Sequence, residues 1–211
     1  MVKMIGFDFG EQDVIRGMID RFSADGHQLD ELTCIRKAEM PGYNGKVVPR
    51  PAPDGDGFAV TMYLSCCAPF TVAHELAHIA DIRARRQETR DHLSWRMPNH
   101  WHLAHRMSSE YTANRLACAY VDEAGVFAAF RSDHVGLLTA IRNRDWASLL
   151  VYYALILGLF HGLGRYDSDP ARLIPPGEEL ADGVLAGMRR FGTEASSLFD
   201  SLWKRPALVP A

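Results

Sequence analysis

The segment that most constrains this chain is Phe70-Thr71-Val72-Ala73-His74-Glu75-Leu76-Ala77-His78. Phe70, Val72, Ala73, Leu76 and Ala77, continued by Ile79 and Ala80, surround its ionisable residues with apolar side chains. A helix that is apolar on most sides belongs inside a fold. Ionisable groups inside a buried helix are costly unless they are hydrogen-bonded or hold a metal ion. Helical spacing puts His74 and His78 one turn apart on one face. Both imidazoles can then reach one ion, and Glu75 stands beside them, able to touch a water on that ion. H-E-x-x-H on a helix is the zinc-peptidase signature. Neutral imidazole nitrogens suit Zn2+, and a carboxylate that does not bind the ion can act as general base. The competing picture is a surface helix with two solvated histidines; the apolar flanks argue against it.

The rest of the composition narrows the class. With 211 residues, 47% hydrophobic and 23% charged, the chain suits one globular domain, or one domain with an extension. The net charge is −3 and no long block of like charge occurs, so direct nucleic-acid binding is not expected. Arg83, Arg85, Arg86 and Arg90 cluster. They read as complements to a helix C-terminus, with a basic docking surface as the alternative. Cys34, Cys66, Cys67 and Cys118 form neither a disulfide framework nor a C-x-x-C site, which points to reduced thiols and a cytoplasmic location. The N-terminus has no signal-peptide pattern. Residues Trp146 to Gly164 carry no permanent charge and approach the length of a membrane span. Ser148, His161 and the glycines within them favour a buried core helix over a span.

Periodicity sketches the order of elements. Val14, Ile15, Met18, Ile19 and Phe22 predict an amphipathic helix over Glu11–Ala24, ended by Asp25-Gly26. Leu32–Ile35 reads as a short strand, Pro41-Gly42 and Asn44-Gly45 as turns, and Pro49–Gly57 as a loop. Phe58–Ser65 alternates cleanly and predicts a half-buried strand. Pro69 suits the first turn of the motif-bearing helix, expected to run to about Gln87. Thr89–His105 is polar and irregular, with His92, His100, His102, His105, Trp95, Trp101 and Pro98. A loop of that length is a candidate site wall or lid. Ser108 or Ser109 is placed to cap the next helix. Further helical patterns fall near Val126–Phe130, Val135–Ile141, Trp146–Leu163, Glu178–Arg190 and Thr193–Lys204.

A catalytic zinc takes three protein ligands and keeps one open position. Glu110, early in the helix expected after the loop, is the preferred third ligand; a first-turn carboxylate complementing the helix dipole is the bland alternative. Asp81, one turn after His78, is a ligand, a hydrogen-bond acceptor for an imidazole N–H, or a surface charge. His102 or His105 is placed to contact substrate or an oxyanion, and His161 reads as a satisfied core histidine.

The wording of two segments goes further. Phe70 to His78 resembles the F-T-x-A-H-E-L-x-H line of the ImmA/IrrE family of zinc metallopeptidases, and Glu110-Tyr111-Thr112-Ala113-Asn114-Arg115-Leu116-Ala117 resembles its second line, E-x-x-A-N-x-F-A. The resemblance spans roughly Phe58 to Tyr120. It implies an α+β, mostly helical fold with a minimal zincin-like core, in which a small sheet packs on the H-E-x-x-H helix and a Glu-bearing helix. It implies His74, His78 and Glu110 as Zn2+ ligands, Glu75 as catalytic base, and Asn114 as a hydrogen-bonding group near the site. Residues 1–124 are then the metallopeptidase core and 125–211 a helical extension packed on it. The expected activity is cleavage of a protein or peptide substrate, such as a transcriptional repressor, by Zn2+-activated water. A substrate strand is expected to pair along the edge of Phe58–Ser65. The alternative is a regulatory or interaction protein whose zinc is structural or sensory, with a histidine of 89–105 closing the site as fourth ligand. A membrane-anchored peptidase is a third reading.

Overall fold

The computed structural model describes residues 2–52, 57–94, 99–178, 180–181 and 183–203. Trp95, Pro98 and Lys204, part of the expectations above, lie outside them. Strand β1 (Lys3–Ile5) leads into helix α1 (Phe9–Ala24), whose start is set by a capping box. The Glu11 N–H donates to Asp8 Oδ1 at 2.9 Å and the Asp8 N–H to Glu11 Oε2 at 3.1 Å. Ile15, Met18 and Phe22 form the buried stripe of α1. Strand β2 (Leu32–Lys37) follows, then β3 (Gly45–Pro51) and β4 (Phe58–Leu64). The order across the sheet is β1-β2-β4-β3, with β1, β2 and β4 parallel and β3 antiparallel.

Two expectations are corrected here. The turn at Asn44-Gly45 leads directly into a strand, β3, which takes in Pro49–Pro51 of the expected loop and pairs from Gly45 opposite Leu64 to Pro51 opposite Phe58; residues 53–56 of that loop lie outside the described residues. Asn44 and Ala52 hydrogen-bond toward the β4 side. Pro49 and Pro51 have the opposite parity, so their nitrogens face the open edge, where no donor is needed. Strand β4 therefore lies between β2 and β3 and has no free edge for a substrate strand; the open edge on that side belongs to β3.

Alternation in β4 buries Phe58, Val60, Met62 and Leu64. They join Ile15, Met18 and Phe22 of α1 and Val72, Leu76 and Ile79 of the motif helix in one apolar cluster. That helix, α2 (Pro69–Ala84), starts with Pro69 and breaks at Arg85, where φ is −120° and ψ is 45°. The stretch expected as a loop is mostly helical: α3 (Arg86–Leu93) and α4 (Asn99–Ala117) occupy most of it. It hid because α3 buries only Thr89, so no apolar stripe marks it. Ser108 and Ser109 lie inside α4 and cap nothing. Glu110 is consequently mid-helix, which removes the first-turn dipole explanation for it.

Helix α5 (Glu123–Arg142), capped by Asp122, runs unbroken through both segments expected there. Helix α6 (Trp146–Gly162) is the uncharged segment, buried against protein. No helix among the described residues is long and apolar enough to cross a membrane. A short 3-10 turn (Pro170–Leu173) precedes α7 (Val184–Trp203). Helix α7 is continuous where two were expected, because Val184, Met188, Phe191, Ala195 and Phe199 make one stripe on a second apolar cluster. Helix α4 serves both clusters: Ala113 and Ala117 face the first, Met107 and Tyr111 the second. Helix α6 crosses it closely at Gly158, where a Cβ would stand 2.5 Å from the Tyr111 carbonyl oxygen. The whole is an α+β fold, mostly helical, with one small mixed sheet.

Ile79 is fully buried between α2 and its neighbours. Ile79→Ala should lower the unfolding free energy by about 2–5 kcal/mol, read by urea denaturation; a negligible change would mean that α2 does not pack as described.

Candidate metal centre

Helix α2 presents His74 and His78 on one face, and α4 brings Glu110 to them. His74 Nε2 and His78 Nε2 are 3.0 Å apart. Glu110 Oε2 lies 3.3 Å from the first and 3.4 Å from the second. These donor atoms form a nearly equilateral triangle that could hold a metal ion. The site is deep but reachable: the histidine side chains are 15% exposed and Glu110 21%.

Each imidazole is oriented from behind. His74 Nδ1 lies 2.7 Å from Asn114 Oδ1, and His78 Nδ1 lies 3.0 Å from Ser109 Oγ. An amide oxygen only accepts, so His74 carries a hydrogen on Nδ1 and turns Nε2 toward Glu110. The Asn114 amide nitrogen donates to the Leu155 carbonyl oxygen at 3.0 Å and to Asp133 Oδ2 at 3.1 Å. Asp133, on α5, was not singled out from the sequence, and Ser109 was read there only as a possible helix cap. The one available signal was that Ser109 and Glu110 are adjacent on the helix expected to carry the third ligand; nothing marked Asp133.

Glu75 is not one of the three converging donors but feels the charge of all of them. Its side chain is 5% exposed and lies against the start of β3, where a Cβ added to Gly45 would overlap the Glu75 carboxylate. Glycine at 45 is thus a condition for Glu75 to sit where it does. Burial raises the Glu75 pKa; the imidazoles of His74 and His78 oppose that rise and Glu110 adds to it. A carboxyl group with increased proton affinity next to a candidate metal group is suited to accept and return a proton.

Other candidates resolve differently. Asp81 is buried in a two-pronged ion pair with Arg85, which also donates to Ser108 Oγ at 3.1 Å. It neither joins the donor triangle nor orients His78; Ser109 does the latter. Arg83 and Arg86 both reach Glu31, so this part of the arginine cluster ties α2 and α3 to the strand side of the fold. His92 and His102 meet at 2.9 Å between Nδ1 atoms, and the His92 and His105 ring centroids lie 4.6 Å apart with the planes tilted by 31°. His105 is kept neutral, at a pKa of about 3, by burial and by the charge of Arg85. None of these three belongs to the His74, His78 and Glu110 group. His161 is a core histidine, its Nδ1 hydrogen-bonded with the Tyr111 hydroxyl at 2.7 Å.

Comparisons of the chain with known protein families, with curated proteins and with solved structures found no match. What the fold and the site define is an α+β protein with a His-His-Glu group that could hold a metal ion.

Burial opposes charging of His74, but the hydrogen bond and charge of Glu110, with Glu75 and Asn114, raise its pKa to about 9. Burial likewise opposes charging of Glu110, yet the hydrogen bonds of His74 and His78 hold it well below the usual carboxylate range. Without an ion, one proton therefore bridges this cluster at neutral pH. A cation must displace it. Between pH 7 and pH 9 the apparent metal affinity should strengthen about tenfold per pH unit, with one proton released per ion, and level off above about pH 9. Calorimetry in buffers of different ionisation enthalpy measures this; a pH-independent affinity would contradict the bridging proton.

Proposed function

We propose that this chain is a zinc-dependent endopeptidase of the ImmA/IrrE type, with a zincin-like core, acting on a regulatory protein such as a transcriptional repressor. The observation that carries the reading is the donor triangle. Donors about 2.0–2.1 Å from a tetrahedral ion stand roughly 3.3–3.4 Å from one another. The three edges here are 3.0, 3.3 and 3.4 Å, so Zn2+ fits with little movement of the side chains. The two family-like segments supply these same three residues.

Bound Zn2+ would lower the pKa of a water toward neutrality and polarise a scissile carbonyl. His74, His78 and Glu110 hold the ion, and Asn114 and Ser109 hold the imidazoles. Glu75 takes a proton from the attacking water and returns it to the leaving amine. Its burial against Gly45 keeps it beside the centre rather than in solvent.

The alternative is a regulatory or interaction protein with structural or sensory zinc. Structural sites are closed by four protein ligands. Among the described residues three donors converge, and His92, His102 and His105 contact one another without joining that group, which favours the peptidase reading.

Glu75→Gln should keep about one zinc per chain and reduce peptide hydrolysis by about 10²–10⁴-fold, whereas Glu110→Ala should lose the zinc. Elemental analysis beside a peptidase assay reads both; equal hydrolysis by wild type and Glu75→Gln would remove Glu75 as base. Gly45→Ala should retain zinc while displacing the Glu75 carboxylate, lowering hydrolysis by about 10²-fold. Full activity in that variant would show that the position of Glu75 does not depend on Gly45.

A further inference from the structure

We infer that Asp133 is a positioning residue for the metal centre: through the Asn114 amide it locks His74 with its hydrogen on Nδ1 and its Nε2 lone pair toward the ion. This rests on the metal-binding reading above and extends it to a residue outside both family-like segments.

The argument is one of donors and acceptors. Asn114 has one amide oxygen and one NH2 group. The oxygen faces His74 Nδ1 at 2.7 Å, and the NH2 group faces two acceptors, Leu155 O at 3.0 Å and Asp133 Oδ2 at 3.1 Å. Turning the amide over would set its oxygen against a carbonyl and a carboxylate oxygen and lose both bonds. It would also set an NH2 donor against His74 Nδ1, which would demand the hydrogen on Nε2 and block the ion. Leu155 O alone fixes one N–H; Asp133, whose pKa burial pushes up to about 7, fixes the second when ionised, and the inverted amide is then repulsive on both sides.

The two imidazoles differ in this respect. His78 is backed by the Ser109 hydroxyl, which can donate or accept and so imposes no tautomer. His74 is the ligand whose protonation is dictated, and the dictating groups come from α5 and α6. The segment 125–211 is thus part of the metal centre's support.

The test compares the full-length wild type with Asp133→Ala, Asp133→Leu and Asp133→Asn. Asn keeps an oxygen that can accept from Asn114; Ala and Leu do not, and Leu preserves the volume should Ala fail to fold. Zinc affinity is read by chelator competition. The His74 Nδ1–H and ring tautomer are read by nitrogen-15 NMR, in zinc-loaded protein at neutral pH and in metal-free protein at a pH high enough to leave the imidazole neutral. The expected result is an affinity about 10–100-fold weaker in Asp133→Ala and Asp133→Leu, with the Nδ1–H signal lost to exchange. Asp133→Asn should stay close to wild type in both. Unchanged affinity and an unchanged signal in Asp133→Ala and Asp133→Leu would overturn the inference. So would an Asp133→Asn variant as impaired as Asp133→Leu, since charge rather than an acceptor would then be responsible. If wild type binds no zinc, the function proposed above fails on its own, and the metal-free Nδ1–H signal still decides the role of Asp133.

Discussion

Glu110 between two imidazoles, between two largely buried helices, is the contact on which the rest of the structure depends. Three ionisable side chains in such a place are tolerated only when each is paired. The pairing is reciprocal: the histidines stabilise the charged carboxylate, and the carboxylate raises the proton affinity of His74. A cation supplies the same compensation and takes the place of the proton. Helices α2 and α4 are held at the distance this contact needs by the sheet-side cluster on one side and by α6 on the other.

Helix α4 is the shared wall of the molecule. It carries Glu110, Ser109 and Asn114 on the face toward α2, and it supplies side chains to both apolar clusters. The close crossing at Gly158 brings α6 near enough for Leu155 O to reach Asn114. The C-terminal helices therefore contribute to the site by backbone and side-chain hydrogen bonds as well as by packing. A second polar group, Asp81 with Arg85 and Ser108, lies further along the same helix interface and is satisfied internally.

The polar stretch between α2 and Glu110 shows how local signals mislead. Its residues are acceptable helix formers, but few of them are buried, so the apolar spacing that betrays a helix is missing. Strand β3 misled for the opposite reason. Gly45, Pro49 and Pro51 are turn and loop residues by habit, yet an edge strand accepts proline wherever the nitrogen faces away from its partner. In both cases the governing fact was the neighbour, which the local sequence does not name.

Periodicity by itself determined helix α1 and strand β4, because each has one face in the core and the spacing of its apolar residues records that face; the motif helix α2 was legible instead from apolar side chains on most of its sides. The same regularity determined that His74 and His78 share a side of α2, one turn apart. Only the tertiary structure decided that Glu110 arrives mid-helix at 3.3–3.4 Å from both imidazoles, that Asp81 is claimed by Arg85, and that Ser109, Asn114 and Asp133 stand behind the ligands. The physical reason is range. Helix and strand spacing is written within a few residues, whereas a hydrogen bond from Asn114 to Asp133 or to Leu155 depends on how helices pack, and no residue near either partner specifies that.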